Sequence, residues 1–305
     1  MNSPMAAARM RVGIISAGRV GTALGEALAA VGHDVASLTA RSPESRGRAA
    51  LRLPQARILD PSGVVADSQL LILAVPDTAL PTVVDAVAAA GPRPGTIVAH
   101  TAGALGVAVL EPLARLGAVT IAVHPAMTFV GSSDDTARLA SSCFGITSDD
   151  EIGDAIAAAL VLEMGGTPVR IAESDRTLYH AALAHGANNL IALITDAVTA
   201  LDAAIAGPHG EHSATATVDG PDPGIARRVL APLVRASLDN VLEMGGAALT
   251  GPVARDDAAT VRRHLAALAA LPDHQLVDGY RALSARAASQ SGAGRELRDL
   301  LEAHA

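Results

Sequence analysis

Polar side chains that could do chemistry come directly after several apolar segments of the sequence. Three such loops follow runs typical of buried strands: Val75-Pro76-Asp77, His100-Thr101-Ala102-Gly103 and His124-Pro125. Of these groups, His124 has the widest chemical capability, because an imidazole can donate a proton to a developing alkoxide near neutral pH. The same histidine could instead be structural and bond the backbone at a turn, and the sequence leaves both roles open.

A predicted helix in the second half of the chain carries further polar candidates. His185 and Asn189 are four residues apart and share one helix face, and Tyr179-His180 precedes them. An asparagine amide that faces a cleft can hold a substrate carbonyl, and His180 is a second possible proton donor. On an ideal helix His180 points away from Asn189. Hydrogen bonding between packed helices is the alternative role for each of these groups.

A turn between two later predicted helices could bind an anion. Thr250-Gly251-Pro252 forms a rigid turn, and the aspartates that follow Arg255 would cap the next helix. Arg255 at this turn would make a carboxylate clamp, because a guanidinium pairs with a carboxylate through two hydrogen bonds. Thr250 could help to orient the carbonyl of the same substrate.

The chain contains no lysine, since all 23 of its basic residues are arginines. Schiff-base chemistry and a lysine general acid are therefore excluded. Arginine binds carboxylates but does not release a proton at neutral pH. A side-chain proton donor must then be His, Tyr, Asp, Glu or Cys, or a hydroxyl that relays a proton from water.

The elements that would position these groups begin with a glycine turn. In the G-x-G-x-x-G fingerprint the glycines allow a tight turn, approach of a pyrophosphate, and packing of helix on strand. Ser16 stands at the first position here, and Gly18 and Gly21 hold the others. Apolar runs at 34–38 and 70–75 complete a βαβ pattern, although a structural glycine turn in another α/β protein is the alternative. The predicted cofactor-binding residues here and at the next strand ends are Ser16, Ala17, Gly18, Arg19, Val20, Gly21, Val75, Pro76 and Thr101.

The end of the second strand indicates which dinucleotide binds. An acidic residue at this point would bond the ribose 2′-hydroxyl of NAD, whereas an arginine accommodates the 2′-phosphate of NADP. The chain has Arg41-Ser42 here, with Arg46 and Arg48 close behind. The pattern therefore favours NADP(H), against the alternative of a solvated arginine.

Alternating apolar runs and Ala/Leu helices predict an α/β Rossmann-like, doubly wound parallel sheet, followed by a mainly α-helical domain. We expect a cofactor-binding domain over residues 10–148 and a helical substrate and dimerisation domain over 149–305. The predicted strands are 12–16, 34–38, 70–75, 96–100, 119–123 and 142–146, and the predicted helices are 178–201, 225–244, 258–271 and 275–301. The polar segment 207–224 between two of these helices is interpreted as a lid or a surface insertion.

Composition excludes several classes of protein. The 305 residues are 50% hydrophobic, with net charge −8, no Trp and no basic tract, which argues against nucleic acid or an anionic membrane as partner. The single cysteine excludes an intrachain disulfide and a cysteine-cluster metal site, and no metal site is predicted. Apolar stretches are interrupted, so no membrane span is expected, and the cytoplasm is the predicted location.

The motifs together resemble one uncharacterised family, which joins a Rossmann-like N-terminal domain to a helical C-terminal domain of formerly unknown function. The resemblance rests on the Gly-x-x-Gly start, His124-Pro125 with Phe129, Tyr179-His180 with Asn189, and the segment from Thr250 to Asp257. That family is similar to the 6-phosphogluconate-dehydrogenase-like reductases, and some members are implicated as an alternative ketopantoate reductase in pantothenate synthesis. Ser16 departs from the usual first glycine, and His185 lies where related enzymes carry a lysine.

The resemblance implies an NADPH-dependent reductase of a small carboxylated carbonyl compound, with 2-dehydropantoate as the named substrate. Asn189 and Thr250 would orient the carbonyl, Arg255 would clamp the carboxylate, and His124 or His180 would protonate the oxygen. The alternatives are an imine reductase like pyrroline-5-carboxylate reductase, a deazaflavin reductase, and a non-catalytic NADP-binding scaffold or sensor. A homodimer is expected, both by resemblance and because apolar helix faces need cover.

Overall fold

The computed structural model describes residues 9–206 and 224–302. The chain divides into two compact units after His185. This division lies later in the chain than residue 148, the predicted boundary. The reason is that the strand and helix formed by residues 151–170 pack on the sheet of the first unit.

The described part of the first unit contains one sheet of eight strands. They are β1 (Arg11–Ile15), β2 (Asp34–Leu38), β3 (Arg57–Ile58), β4 (Leu70–Leu73), β5 (Ile97–His100), β6 (Val119–Pro125), β7 (Cys143–Ser148) and β8 (Thr167–Arg170). Their order is β3-β2-β1-β4-β5-β6-β7-β8. Neighbouring strands are parallel except for β6 and β7, which are antiparallel. The predicted Rossmann-like fold is confirmed, with a short β3 that the sequence pattern did not predict.

Seven α-helices accompany the sheet in the described part of this unit: α1 (Arg19–Ala30), α2 (Pro43–Arg52), α3 (Pro61–Ala66), α4 (Leu80–Ala90), α5 (Glu111–Ala114), α6 (Asp134–Leu139) and α7 (Glu151–Glu163). Because side chains alternate along a strand, a central strand can supply two cores. Leu70 and Ile72 of β4 lie in one core, and Leu71 and Leu73 lie in the other. Burial on both faces explains why β4 is apolar at every position.

The second unit is helical in the residues described. Its helices are α8 (Arg176–Ala206), whose first turns belong to the first unit, α9 (Ile225–Met244), α10 (Gly251–Ala254), α11 (Ala258–Ala269), α12 (Gln275–Ser291) and α13 (Arg295–Glu302). The predicted break near Gly292 is confirmed, because this residue ends α12 with a φ of 68°. Val261, Leu265 and Leu297 are central to the small core of α11 to α13.

Helix α8 and the residues just before it are unusually apolar. The segment 173–206 is long and apolar enough to cross a membrane, and none of its most apolar stretch is buried. A single helix of this kind is weak evidence for a span, since core helices of other proteins pass the same test. Residues 207–223, which hold most of the predicted lid or insertion, lie outside the described residues.

Candidate active site

The turn between β1 and α1 has the geometry of a dinucleotide-binding turn, although it begins with a serine. Ser16 adopts a left-handed conformation with a φ of 83°. Its backbone N–H donates to Thr39 Oγ1 at 2.8 Å, which helps to hold that conformation. A Cβ on Gly21 would lie 2.3 Å from the Ser16 carbonyl oxygen, so only glycine fits there. A Cβ on Gly18 would meet Ser16 Oγ at 3.5 Å, which is ordinary contact. Gly21 is therefore needed for packing, whereas Gly18 leaves space beside the start of α1.

A cavity of about 440 Å³ lies beside this turn, at the carboxyl ends of β1, β2 and β4. Seven of the predicted cofactor residues line it: Ser16, Ala17, Gly18, Arg41, Ser42, Val75 and Pro76. Arg19, Val20, Gly21 and Thr101 do not line it. Gly21 packs under the turn, the Thr101 N–H donates to the Leu73 carbonyl, and the Arg19 guanidinium donates to the Phe129 carbonyl. The cavity thus fits a nucleotide whose phosphates approach Gly18.

The polar end of this cavity is basic and lies at the N-terminus of α2. Arg41 and Arg48 both line it, together with Ser42 and Ser45. The Ser42 hydroxyl caps α2 by accepting from the Ser45 N–H at 3.1 Å. The N-terminus of α2 and the two guanidinium groups favour an anion, because the positive end of the helix dipole lies beside two positive charges. The residues present therefore fit the 2′-phosphate of NADP.

A second cluster follows β6, where His124 meets the first turn of α8. His124 Nδ1 lies 2.9 Å from the Tyr179 hydroxyl, with the two rings edge to face. The His180 ring is also edge to face with His124, at 5.8 Å between centroids. A Cβ on Gly103 would lie 2.5 Å from His180 Cδ2 and 2.9 Å from His124 Nε2. Gly103 therefore packs directly against both imidazoles, where no larger side chain would fit, and the structure brings His124 and His180 together.

His100, at the end of β5, and His124, near the end of β6, are both neutral near pH 7. Burial, together with the charges of His180 and Arg176, lowers the pKa of His124 to about 4. Burial likewise lowers the pKa of His100 to about 4, opposed by its bond to the Gly106 carbonyl. His124 can therefore donate a hydrogen bond through one N–H, but it is not a positively charged imidazolium at this pH.

A buried arginine stands behind this cluster. Arg176 is 1% exposed, and its guanidinium donates to Thr147 Oγ1 at 2.8 Å and to the Gly145 carbonyl at 3.2 Å. Among the residues described, its Nη1 has no hydrogen-bond partner. Burial lowers the pKa of Arg176, and the guanidinium carbon lies 5.8 Å from the centre of the Tyr179 ring. Arg176 thus joins α8 to β7 and places a positive charge beside the phenol.

The loop after β5 is fixed by three side chains, those of Glu173, His100 and Asp77. The Glu173 carboxylate accepts from the N–H groups of Val107 and Ala108 at 2.8 and 3.2 Å. His100 Nε2 bonds the Gly106 carbonyl at 2.8 Å, and the Asp77 carboxylate accepts from the Ala104 N–H at 3.4 Å. These bonds hold Gly103 against the imidazoles.

The remaining predicted catalytic residues belong to the second unit. Asn189 is an exposed residue of α8, and Thr250 and Arg255 are exposed residues at the two ends of α10. Asp257 caps α11 through the Thr260 N–H at 2.9 Å, as the sequence predicts. The catalytic roles of Asn189, Thr250 and Arg255 stay predictions.

The sequence assigns no role to several residues of the site. Tyr179 belongs only to the Tyr179-His180 motif, and Arg176, Glu173, Gly103 and Gly145 have no predicted function. A positive φ at Ser16 and the burial of Arg176 depend on three-dimensional contacts, and neither has a one-dimensional signal. Within residues 9–206 and 224–302, no group of three or more His, Cys, Asp and Glu side chains could hold a metal.

The second unit holds a larger cavity, of about 620 Å³, among α8, α9, α11 and α12. Its lining is mostly apolar, and it contains none of the predicted catalytic or cofactor residues. Its polar members include His264 and Tyr280, which bond to each other at 2.8 Å.

Comparison with known families matches the chain in two segments. Residues 1–125 match the Rossmann-like domain, and residues 142–287 match a domain of unknown function, DUF2520. A search of curated proteins found no significant match.

Solved structures share the fold over nearly the whole chain. A Bacteroides fragilis protein to which NADP oxidoreductase activity is ascribed has 21% identity and a TM-score of 0.72, over 92% of this chain and 98% of its own. Plasmodium falciparum pyrroline carboxylate reductase, with NADP bound, has 10% identity and a TM-score of 0.55, over 92% and 98%. A reductive aminase from Aspergillus terreus, in complex with NADPH and ethyl-5-oxohexanoate, has 16% identity and a TM-score of 0.56, over 97% and 93%. The two segments of the chain therefore match a Rossmann-like domain and DUF2520, and its fold is similar to that of solved NADP-dependent oxidoreductases.

Proposed function

We propose that this chain is an NADPH-dependent reductase of a small molecule with a polarised double bond. The observation that carries the proposal is the cavity beside the Ser16-Gly18 turn, because Arg41, Ser42 and Arg48 make its far end suitable for a 2′-phosphate. Solved structures of the same fold with NADP or NADPH bound support this assignment. NADPH, when bound, supplies the hydride, and the protein must supply a proton.

The His124 cluster is the proposed source of that proton. His124 is neutral at pH 7, so it donates through one N–H instead of carrying a full positive charge. A neutral imidazole can still polarise a carbonyl and give up its proton as negative charge develops on the oxygen. We place the substrate oxygen within hydrogen-bonding distance of His124 Nε2, because the other ring nitrogen, Nδ1, bonds Tyr179.

A carboxylated carbonyl compound is the proposed substrate, with 2-dehydropantoate as the specific candidate. This assignment follows from the resemblance to ketopantoate reductases and would place the chain in pantothenate synthesis. In it, Arg255 binds the carboxylate, and Asn189 and Thr250 orient the carbonyl.

Imine reduction is the second candidate, and the state of the histidines favours it. Neutral His124 and His100 do not repel a protonated imine, which already carries the proton that a carbonyl oxygen must acquire during reduction. Two of the similar structures, a pyrroline carboxylate reductase and a reductive aminase, are named for chemistry at carbon–nitrogen bonds.

A substrate panel separates the candidates. Purified protein is mixed with NADPH and either 2-dehydropantoate or pyrroline-5-carboxylate, and loss of absorbance at 340 nm is followed. Turnover of the keto acid, together with a higher KM for it in Arg255→Ala, supports the carbonyl reductase. Turnover of the imine alone supports the imine reductase. Binding of NADPH without turnover on a broad carbonyl and imine panel would favour a scaffold or sensor.

We also propose a cytoplasmic homodimer formed through the helical unit. α8, α9 and α12 expose large apolar side chains, with Leu242 78%, Leu233 63%, Ile191 61% and Leu283 48% exposed. Burial of such side chains stabilises by about 25 cal/mol per Å², so water is an unfavourable environment for them. Sedimentation analysis should give twice the mass of the chain, and Leu233→Arg should shift the protein to monomer; a monomeric unmodified chain would contradict the proposal.

A further inference from the structure

Tyr179 makes the closest polar contact of His124. The phenol oxygen and Nδ1 are 2.9 Å apart, although the residues lie on different elements, α8 and β6. Arg176, one turn before Tyr179, fixes this meeting by bonding the backbone of Gly145 on β7, the strand paired with β6. A Cβ on Gly145 would lie 2.6 Å from the phenol oxygen, so the glycine makes room for it. The contact is therefore built by several elements.

Both groups of this pair are neutral near pH 7. Burial raises the pKa of Tyr179, so its hydroxyl keeps its proton near pH 7, and the low pKa of His124 leaves the imidazole neutral. The pair can move a proton toward a substrate only when the phenol donates to Nδ1. A neutral imidazole that accepts at Nδ1 carries its single proton on Nε2, the ring nitrogen that does not contact Tyr179. His124 is only partly buried.

We propose that Tyr179 is the proton source behind His124, so that the phenol refills Nδ1 as Nε2 gives its proton to the substrate. This inference rests on the proposed reductase function. As the substrate carbon accepts hydride, the π pair of the carbonyl moves to oxygen, and an O–H bond forms with the Nε2 proton. The Nδ1–H bond forms as the Tyr179 O–H bond breaks. His124 stays neutral throughout and ends in the other tautomer.

The phenolate left by this step has a stabilising neighbour. The Arg176 guanidinium lies 5.8 Å from the ring centre and is buried, where a positive charge interacts more strongly than in water. Arg176 also lowers the pKa of Tyr179, in opposition to burial. Uptake of a proton from water then restores the resting state. This role explains why an arginine without an ion-pair partner among the described residues is buried beside a tyrosine.

The test compares Tyr179→Phe with Tyr280→Phe, a matched control. Tyr280 makes the same bond to His264 Nδ1 at 2.8 Å, outside the proposed site. With the keto acid, Tyr179→Phe should lower kcat at least tenfold with little change in KM or in NADPH binding. Tyr280→Phe should stay within twofold of the unmodified protein. Gly145→Ala, which displaces the phenol without removing it, should reproduce the loss.

Nitrogen-15 NMR of the histidines supplies a readout that does not need turnover. The His124 signals, identified by their loss in His124→Gln, should show the Nε2–H tautomer in the unmodified protein at pH 7. They should change in Tyr179→Phe, whereas Tyr280→Phe leaves them unchanged. An Nδ1–H tautomer in the unmodified protein, or full kcat in Tyr179→Phe, overturns the relay alone. Absence of NADPH oxidation with every carbonyl and imine overturns the proposed function instead.

Discussion

Two glycines of the β1–α1 turn should respond in opposite ways to the same substitution. In Gly21→Ala the new Cβ would lie 2.3 Å from the Ser16 carbonyl oxygen and 3.0 Å from Ala74 Cβ. Neither neighbour can move without shifting the strand or the turn. In Gly18→Ala the nearest contact is 3.5 Å, and the φ of −74° suits alanine.

The magnitudes follow from these contacts. Overpacking at Gly21 should cost about 2 kcal/mol, which lowers Tm by roughly 4–8 °C for a domain of this size. Gly18→Ala should leave stability equal or raise it by about 0.5 kcal/mol, because alanine restricts the unfolded chain. The same methyl occupies the space through which a pyrophosphate approaches, so NADPH should bind at least about tenfold more weakly, a loss of roughly 1.4 kcal/mol.

Thermal unfolding without cofactor and fluorescence titration with NADPH measure the two effects separately. We expect Gly18→Ala to lose cofactor affinity at unchanged Tm, and Gly21→Ala to lose Tm. The reasoning is refuted if Gly18→Ala binds NADPH as tightly as the unmodified protein. A Gly21→Ala variant that unfolds at the original temperature would equally show that the described turn is wrong.

Three further changes test other parts of the account. Ser16→Gly removes the cost of the left-handed conformation, about 1–2 kcal/mol, but the more flexible unfolded chain offsets about 0.5–1 kcal/mol of that. Urea unfolding should therefore show a net increase in the free energy of unfolding of about 0.5 kcal/mol. Ser16→Ala should show no such increase. Arg41→Ala should weaken NADPH binding about tenfold or more and leave NADH binding unchanged, since NADH has no 2′-phosphate; equal losses for both would contradict this role. Because His100 has a folded pKa of about 4 and an ordinary value of 6.5, the unfolded chain binds more protons between these values. Stability should therefore fall as pH drops from about 6.5 to 4, by roughly 3 kcal/mol for His100, and a flat urea midpoint over this window would refute its buried neutral state.

The sequence predicts the fold well because the signals involved are local. The alternation of apolar runs and helices places β1, β2 and β4 to within a residue or two, and Gly292 ends α12 as expected. β3 has two residues and no apolar pattern, so its pairing with β2 depends on the sheet already being formed. The reversal of β7 likewise has no local signal, because parallel and antiparallel strands have similar compositions.

The site is predicted less completely, for a physical reason. A fingerprint identifies Gly18 and Arg41 as candidates, and both line the cavity because its lining comes from neighbouring residues of one βαβ unit. The surroundings of His124 come from β5, β6, β7 and α8, whose residues are far apart in sequence. The neutral state of His124 results from burial and from Arg176, which only the folded chain brings to it.

Parallel titration of the purified chain with NADPH and NADH tests the central claim most directly. The claim is that the cavity lined by Ser16, Gly18, Arg41 and Arg48 holds NADP(H). We predict saturable binding of NADPH at least about tenfold tighter than that of NADH, because one 2′-phosphate paired with arginine contributes roughly 1.5–3 kcal/mol. Equal affinity for the two cofactors, or no binding of either, would contradict it.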